Sequence, residues 1–243
     1  MNDIIKSLKN RKSVRAFTTT EIDECIKEEI LLCAVNAPTA GNQQLYTILD
    51  IRNKELLEKL SVTCDNQPFI KDSKFTLIFC ADFKKWYDAF ICTECAPRKP
   101  SAGDFLLSVN DAVIAAQNAV CAAESFGIGS CYIGDIMENC ELHREMLNLP
   151  EYVFPAAMLV FGYPEDSQIR RKKPERADMK HIVHTDTYRE METHELKELF
   201  SPKAKEKSYE DWMKAFCERK YNSDFSIEMS RSVNEYLKQW ENE

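Results

Sequence analysis

The chain is predicted to be a mixed α/β domain in which helical layers cover one sheet. Three observations lead there. The runs Lys74–Ala81 (KFTLIFCA) and Val153–Tyr163 (VFPAAMLVFGY) are continuously apolar and of strand length, which is the pattern of strands buried on both faces. From Asp111 to Ala123 the residues are mostly Ala, Val, Ile, Gln, Asn and Cys, with no Gly or Pro, so a helix buried on nearly all sides is expected. Elsewhere, helical periodicities alternate with shorter strand candidates.

Taken in order, Asn2–Leu8 reads as a short helix. Thr18 and Glu21 have capping-box spacing, and Ile22, Ile26 and Ile30 recur at i+4, giving a helix to about Val35. Pro38–Gln44 is a loop of small and amide residues, Leu45–Ile51 a strand candidate and Lys54–Leu60 a helix. A short aromatic helix lies around Trp86–Phe90, and a Pro-bearing loop, Ala96–Ala102, leads into the central helix. Phe126 and Gly127 end that helix, with Gly127 suited to a left-handed C′ position. Ile128–Asp135 is a short buried strand leaving into a Gly-containing turn, and Asn139–Leu147 is helical. From Glu190 the chain is charged and helical in pattern, with breaks near Pro202 and Ser223. Four of the six glycines (Gly103, Gly127, Gly129 and Gly134) lie in one stretch, a concentration that predicts close backbone approach to something.

With 243 residues, 44% of them hydrophobic, the chain can bury a substantial core as one domain or one with an appendage. A formal net charge of −8 argues against nucleic acid or an anionic membrane as partner. The first residues, MNDIIKSLKNRKSVRAF, carry no long apolar run. The central helix is too short, and too marked by Asn110, Asp111, Gln117, Asn118 and Glu124, to span a bilayer, and nothing else reaches that length, so a cytoplasmic protein is expected. Ten cysteines are scattered, and Cys33, Cys80, Cys121 and Cys131 sit in apolar contexts, which reads as reduced small hydrophobes. Cys92 and Cys95 form the one C-x-x-C; without a second pair or a nearby His it is a weak metal signal, though a redox role stays open. His143, His181, His184 and His194 have no metal-ligand spacing, and no Ser-His-Asp or Cys-His arrangement supports hydrolysis. Neither G-x-G-x-x-G nor G-x-x-x-x-G-K-[ST] occurs.

Arg11, Lys12, Ser13 and Arg15 set three cations and a hydroxyl within five residues, which suits a phosphate or, equally, a solvated basic turn. The run from Arg170 to Arg176 offers the same choice, and two basic clusters in an acidic chain are best explained by convergence on one anion. Asn42 and Gln44 fit the edge of a planar heterocycle or a polar turn, and Gln67 before Pro68 is open in the same way.

In this order the motifs R-K-S-V-R, A-P-T-A-G-N-Q-Q, D-A-V-I-A-A-Q-N-A leading to G-I-G-S-C-Y-I-G-D, and K-K-P-E-R followed by I-V-H-T-D-T-Y resemble the nitroreductase / flavin reductase family of FMN-dependent oxidoreductases, in its oxygen-insensitive branch, over residues 2 to 190. The resemblance implies an α+β three-layer sandwich with a central antiparallel sheet, intertwined as a homodimer with two FMN sites at the interface. Residues 1–200 would form the FMN-binding domain and 201–243 a C-terminal helical extension packing on the domain or the partner. Arg11, Lys12, Ser13 and Arg15 would hold the FMN phosphate, ribityl chain and pyrimidine edge; Pro38, Thr39, Ala40, Asn42 and Gln44 would reach the flavin of the other subunit. Gln67 would contact the ring, Tyr132, Ile133, Gly134 and Asp135 would pass along it, and Arg176, with Lys172 or Lys173, would return to the phosphate. Two departures stand out: Glu175 intrudes where the family usually reads Lys-Pro-Arg, and Asp135 replaces a frequent second Gly. No metal is expected.

The implied activity is ping-pong reduction, by NADH or NADPH, of nitroaromatics, quinones, flavins or activated alkenes, with the chemistry at the FMN N5 and no dedicated catalytic side chain. Arg219, Lys220 and Arg231 are candidates for the nicotinamide nucleotide. The alternatives are a dehalogenase-like or flavin-modifying member of the same fold, and a flavin-binding redox sensor without turnover that switches at Cys92 and Cys95.

Overall fold

The structure is a computed structural model describing residues 2–241, and the chain divides into two compact units: residues up to 172 together with those from 228 onward, and residues 173–227. In the first unit α1 (Asp3–Asn10) and α2 (Glu24–Val35) precede β1 (Tyr46–Asp50), α3 (Lys54–Thr63), β2 (Phe75–Asp82) and α4 (Lys84–Cys92). Then follow α5 (Ala102–Ser125), β3 (Gly129–Ile133), α6 (Cys140–Leu147), β4 (Val153–Gly162) and the short α7 (Asp166–Arg170). The second unit holds α8 (Thr193–Ala204) and α9 (Tyr209–Lys220); of α10 (Asp224–Leu237), the residues from Glu228 belong to the first. A boundary at 200 would fall inside α8. Tyr236 and Trp240 are fully buried in the first unit, edge-on to Phe154 at 5.0 Å and Phe105 at 5.4 Å respectively.

The sheet runs β1-β2-β4-β3, and all three pairings are antiparallel, so the fold is α+β rather than a parallel α/β arrangement. Its two central strands are buried at every residue, which is why both read as unbroken apolar runs. Phe75, Leu77, Phe79 and Ala81 of β2 face one core with α2 and α5, while Ile78 and Cys80 face a second core with α3. Two helical layers thus enclose the sheet. Pro155 is tolerated in central β4 because the register with β2 slips there: Phe79 pairs with Ala157 and Cys80 with Pro155.

Three local expectations are corrected. Thr18 and Glu21 do not cap α2, which starts at Glu24; Thr18 N–H donates instead to Tyr163 O at 2.8 Å, because the chain before α2 lies along the sheet edge. The central helix has 24 residues and is not buried all round: Leu106, Leu107, Val113 and Ile114 are more than 40% exposed on its free side. By length and composition it could cross a membrane, yet its other side packs on the sheet and buries Asp104 and Asp111. Cys80 and Cys131 are buried, but Cys33 and Cys121 are exposed, since each falls on the outer side of its helix.

Candidate functional site

The segment from Arg11 to Thr18 is laid against the open edge of β3 and the residues that follow β4. Ser13 bridges to Ser130, Val14 N–H donates to Ser130 O at 2.9 Å, and Phe17 bridges to Pro164. Two glycines make this possible. A Cβ on Gly129 would stand 2.5 Å from Val14 Cγ2, and one on Gly162 would stand 2.7 Å from the Phe17 ring. The predicted close approach is therefore, at Gly129, an approach of the chain to itself.

The same segment meets the start of the basic run. Lys12 Nζ donates to Ile169 O at 2.8 Å and to Arg171 O, and Arg171 donates to Ser13 O. Lys12 and Arg171 are thus committed to holding the two segments together through backbone carbonyls. Arg11 is different. Its Nε and Nη2 are buried with no hydrogen-bond partner, and its guanidinium lies 5.7 Å from the centroid of the Tyr132 ring. A buried guanidinium with unspent donors is costly unless an anion or acceptor completes it. Tyr132 Oη donates to Gln117 Oε1 at 3.4 Å, and burial pushes its pKa up to about 12.

Past Tyr132 and buried Ile133 the strand ends at Gly134, whose added Cβ would meet nothing nearer than Met137 Cε at 3.9 Å. Asp135 follows, and its Oδ2 accepts from Gln67 Nε2 at 2.9 Å. The other Gln67 amide hydrogen goes to Cys64 O at 2.9 Å. With both hydrogens spent on acceptors, the orientation of the amide is settled and Oε1 is the atom left to meet a ligand. One turn at the end of β3 therefore links Arg11, Tyr132, Gly134, Asp135 and Gln67.

The loop 38–44 is built separately. Gly41, Asn42 and Gln44 all have left-handed φ, of 55°, 58° and 50°. Such a run persists only when its surroundings impose it. Buried Asp111 does so, accepting from Ala40 N–H at 3.0 Å and Leu45 N–H at 3.1 Å. Thr39 Oγ1 accepts from Gln44 N–H at 3.1 Å, and Gln44 Nε2 donates to Val35 O at 3.1 Å. Pro38, Asn42 and Gln44 stay exposed. Among the described residues no hydrogen bond joins this loop to Arg11, Gln67 or the 132–135 turn. Lys172, exposed, ends this part of the first unit, and Lys173 and Arg176 fall in the second.

Asp111 and Glu138 were not singled out as site residues. An acid inside an apolar helix is the available signal for Asp111; Glu138 has none, because its burial comes from separate elements. Arg231 is spent on Glu141 and Glu228. His143 is structural, its Nδ1 3.0 Å from Ile136 O and its Nε2 2.8 Å from Thr63 Oγ1. No group of three His, Cys, Asp or Glu able to hold a metal occurs among the described residues. A groove of about 880 Å³ near Arg15, Phe17, Lys54, Phe69 and Lys74 is lined by neither Arg11 nor Gln67.

The nitroreductase family profile matches residues 8–163, a span containing the β3 turn, the 38–44 loop and Gln67. The chain is 30% identical over 238 residues to the FMN reductase (NAD(P)H) of Bacillus subtilis, covering 97% of this chain and 91% of that protein. It is 32% identical over 233 residues to the Cr(VI) reductase of a Pseudomonas species, covering 96% and 88%. Among solved structures, NfrA2 of B. megaterium superposes with a TM-score of 0.84 at 28% identity over the full length of both chains. The NfrA1 nitroreductase of B. subtilis does so with a TM-score of 0.84 at 25% identity over 98% of each. With a family match that spans its whole sheet and relatives at 30% identity or more along nearly its whole length, the chain belongs to the nitroreductase family.

Proposed function

We propose that the protein is an FMN-dependent oxidoreductase that takes reducing equivalents from NADH or NADPH and passes them to a small-molecule acceptor. The observation that carries this reading is the Arg11 guanidinium, buried with unspent donors beside Tyr132 at the head of an unobstructed glycine turn. Relatives named FMN reductase and Cr(VI) reductase support it. FMN, when bound, supplies the electron-transfer chemistry.

The residues present fit that group. Arg11, Ser13 and Arg15 would hold the phosphate side, with Lys12 acting by fixing the segment, and Lys172, Lys173 and Arg176 would add charge. Gln67 would offer its Oε1 to a donor on the ring edge, and Tyr132, Ile133, Gly134 and Asp135 would back the ring. Pro38, Thr39, Ala40, Asn42 and Gln44 would serve the site of a second copy in a homodimer. The exposed Leu106, Leu107, Val113 and Ile114 of α5 are the apolar surface such a dimer would cover. Nitroaromatics, quinones, flavins and activated alkenes are the acceptor classes, reached in a ping-pong cycle.

The visible spectrum of the purified protein, followed by anaerobic addition of each nucleotide, tests this. Flavin absorbance bleached by NADH or NADPH is the expected result and ranks the two donors. A colourless protein that FMN does not reconstitute overturns the reading. A yellow protein that neither nucleotide bleaches would replace turnover by carriage or sensing.

A further inference from the structure

Near Asp135, the partner of Gln67, lies a carboxyl that the proposed reaction leaves unused. Glu138 closes the turn Asp135–Met137, is 5% exposed, and has a buried Oε1 without a hydrogen-bond partner. The charged groups facing it are all acids: Asp135 on its own turn, Asp65 after α3, and Glu228 on α10. No cation pairs with Glu138 among the described residues. Arg231, on α10, is forked onto Glu141 and Glu228. His143, on α6, has its pKa lowered by burial, which disfavours its charged form. Burial first, then Asp135, Asp65 and Glu228, push the Glu138 carboxyl up to about 7.

Asp135 is the link to the ligand side, since its carboxylate and Cys64 O together hold the Gln67 amide with Oε1 free.

We propose that Glu138 is a proton-linked positioning residue, whose ionisation state sets the charge behind the Asp135–Gln67 pair and hence the field and hydrogen-bond polarity met by the cofactor ring. This rests on the FMN reading above. With Glu138 protonated, Asp135 is the nearer charge and holds Gln67 undisturbed. With Glu138 ionised, a second carboxylate beside Asp135 strains that hold and makes the field at the ring more negative. A flavin gains negative charge when reduced, so ionised Glu138 opposes reduction, and reduction draws a proton onto Glu138. The nicotinamide would supply the two electrons and one proton of reduction. The further proton comes from solvent to the Glu138 carboxylate, and it returns to solvent when the acceptor removes the electrons.

The test pairs the holoprotein with the apoprotein from pH 5.5 to 8.5. In the holoprotein the flavin reduction potential is measured by dye equilibration for wild type, Glu138→Gln and Asp135→Asn. Wild type and Glu138→Gln should coincide near pH 6; above about pH 7 the wild-type potential should fall more steeply, leaving Glu138→Gln the higher. Asp135→Asn should weaken FMN binding about tenfold at every pH, as expected for loss of a hydrogen bond to a charged acceptor. Superimposable pH profiles for wild type and Glu138→Gln overturn the proposal.

In the apoprotein the melting midpoint is read over the same range. The folded-state pKa of Glu138 lies above its ordinary 4.5, so its stabilising contribution is full below about 4.5 and is lost as pH rises through about 7. Glu138→Gln should therefore melt above wild type at pH 8. If that difference appears but FMN does not bind, the cofactor reading has failed and the proposal with it. If FMN binds and the difference is missing, the proposal alone has failed.

Discussion

The two ends of β3 are both marked by glycine and are built in opposite ways. At the N-terminal end Gly129 pairs with Gly162, and the space where their side chains would be is filled by Val14 and Phe17. At the C-terminal end the space beside Gly134 is left open. Backbone pairing divides similarly, although Ser130 Oγ at the filled end is also buried without a partner. Val14 N–H and Thr18 N–H are paired with the sheet edge, at 2.9 and 2.8 Å, whereas around the 132–138 turn Arg11 Nε and Nη2 and Glu138 Oε1 are buried without partners. A glycine-rich stretch thus announces close approach without saying to what. What fills the space beside each glycine, side chains at Gly129 and Gly162 and nothing closer than 3.9 Å at Gly134, separates approach to the chain itself from approach to a ligand.

The largest effect should come from closing the filled end. Gly129→Ala puts a methyl 2.5 Å from Val14 Cγ2 and 2.8 Å from Val14 Cβ, a contact that only displacement of the segment can relieve. We expect a cost of ~3 kcal/mol, the upper range for overpacking, and a melting midpoint lower by roughly 6–12 °C in thermal denaturation. Adding Val14→Ala should recover only part of the loss, because Cβ itself remains in the way. FMN binding should fall together with stability, since the displaced segment carries Arg11. Equal melting of Gly129→Ala and wild type would abolish the distinction between the two ends.

Next is Asp111, which holds the left-handed loop rather than either end of β3. Asp111→Asn keeps the shape but turns an acceptor into a donor against either Ala40 N–H or Leu45 N–H. Leaving one buried amide unpaired should cost ~2 kcal/mol. Hydrogen exchange at Ala40 and Leu45 should quicken, while exchange in β3 stays as in wild type. Uniform quickening would mean that the loop and the strand are one cooperative unit.

Much of the fold was legible. Burial on both faces left β2 and β4 as unbroken apolar runs, and Gly127, with φ +72°, ends α5 as its position suggested. The exposed side of α5 was not legible, because apolar composition does not record what covers a surface. Nor was the junction of Lys12 with Ile169, which are 157 residues apart. Thr18 misled because a capping-box spacing is only local, and the sheet edge outcompeted it for the backbone. Of the site, the residue types at 11–15, 67 and 132–135 pointed to chemistry, but Gln67 and Asp135 touch only once α3 and β3 are packed on the same core. Glu138 is buried by that packing too.

The smallest stability effect, and the sharpest contrast, belongs to Gly134→Ala. Gly134 has φ −78° and ψ −25°, a conformation open to any L-residue, and its added methyl would make only an ordinary contact with Met137 Cε. Nothing in the folded chain resists the substitution. The loss of backbone freedom in the unfolded state should leave stability unchanged or raise it by ~0.5 kcal/mol. If the cofactor ring lies against this turn, the same methyl occupies its contact surface, and FMN titration of the apoprotein should show affinity weakened at least about tenfold, the equivalent of 1.4 kcal/mol. Gly129→Ala would then lose stability and binding together, and Gly134→Ala binding alone. A Gly134→Ala protein that binds FMN as tightly as wild type would move the ring off this turn, leaving Arg11 to be satisfied by some other ligand.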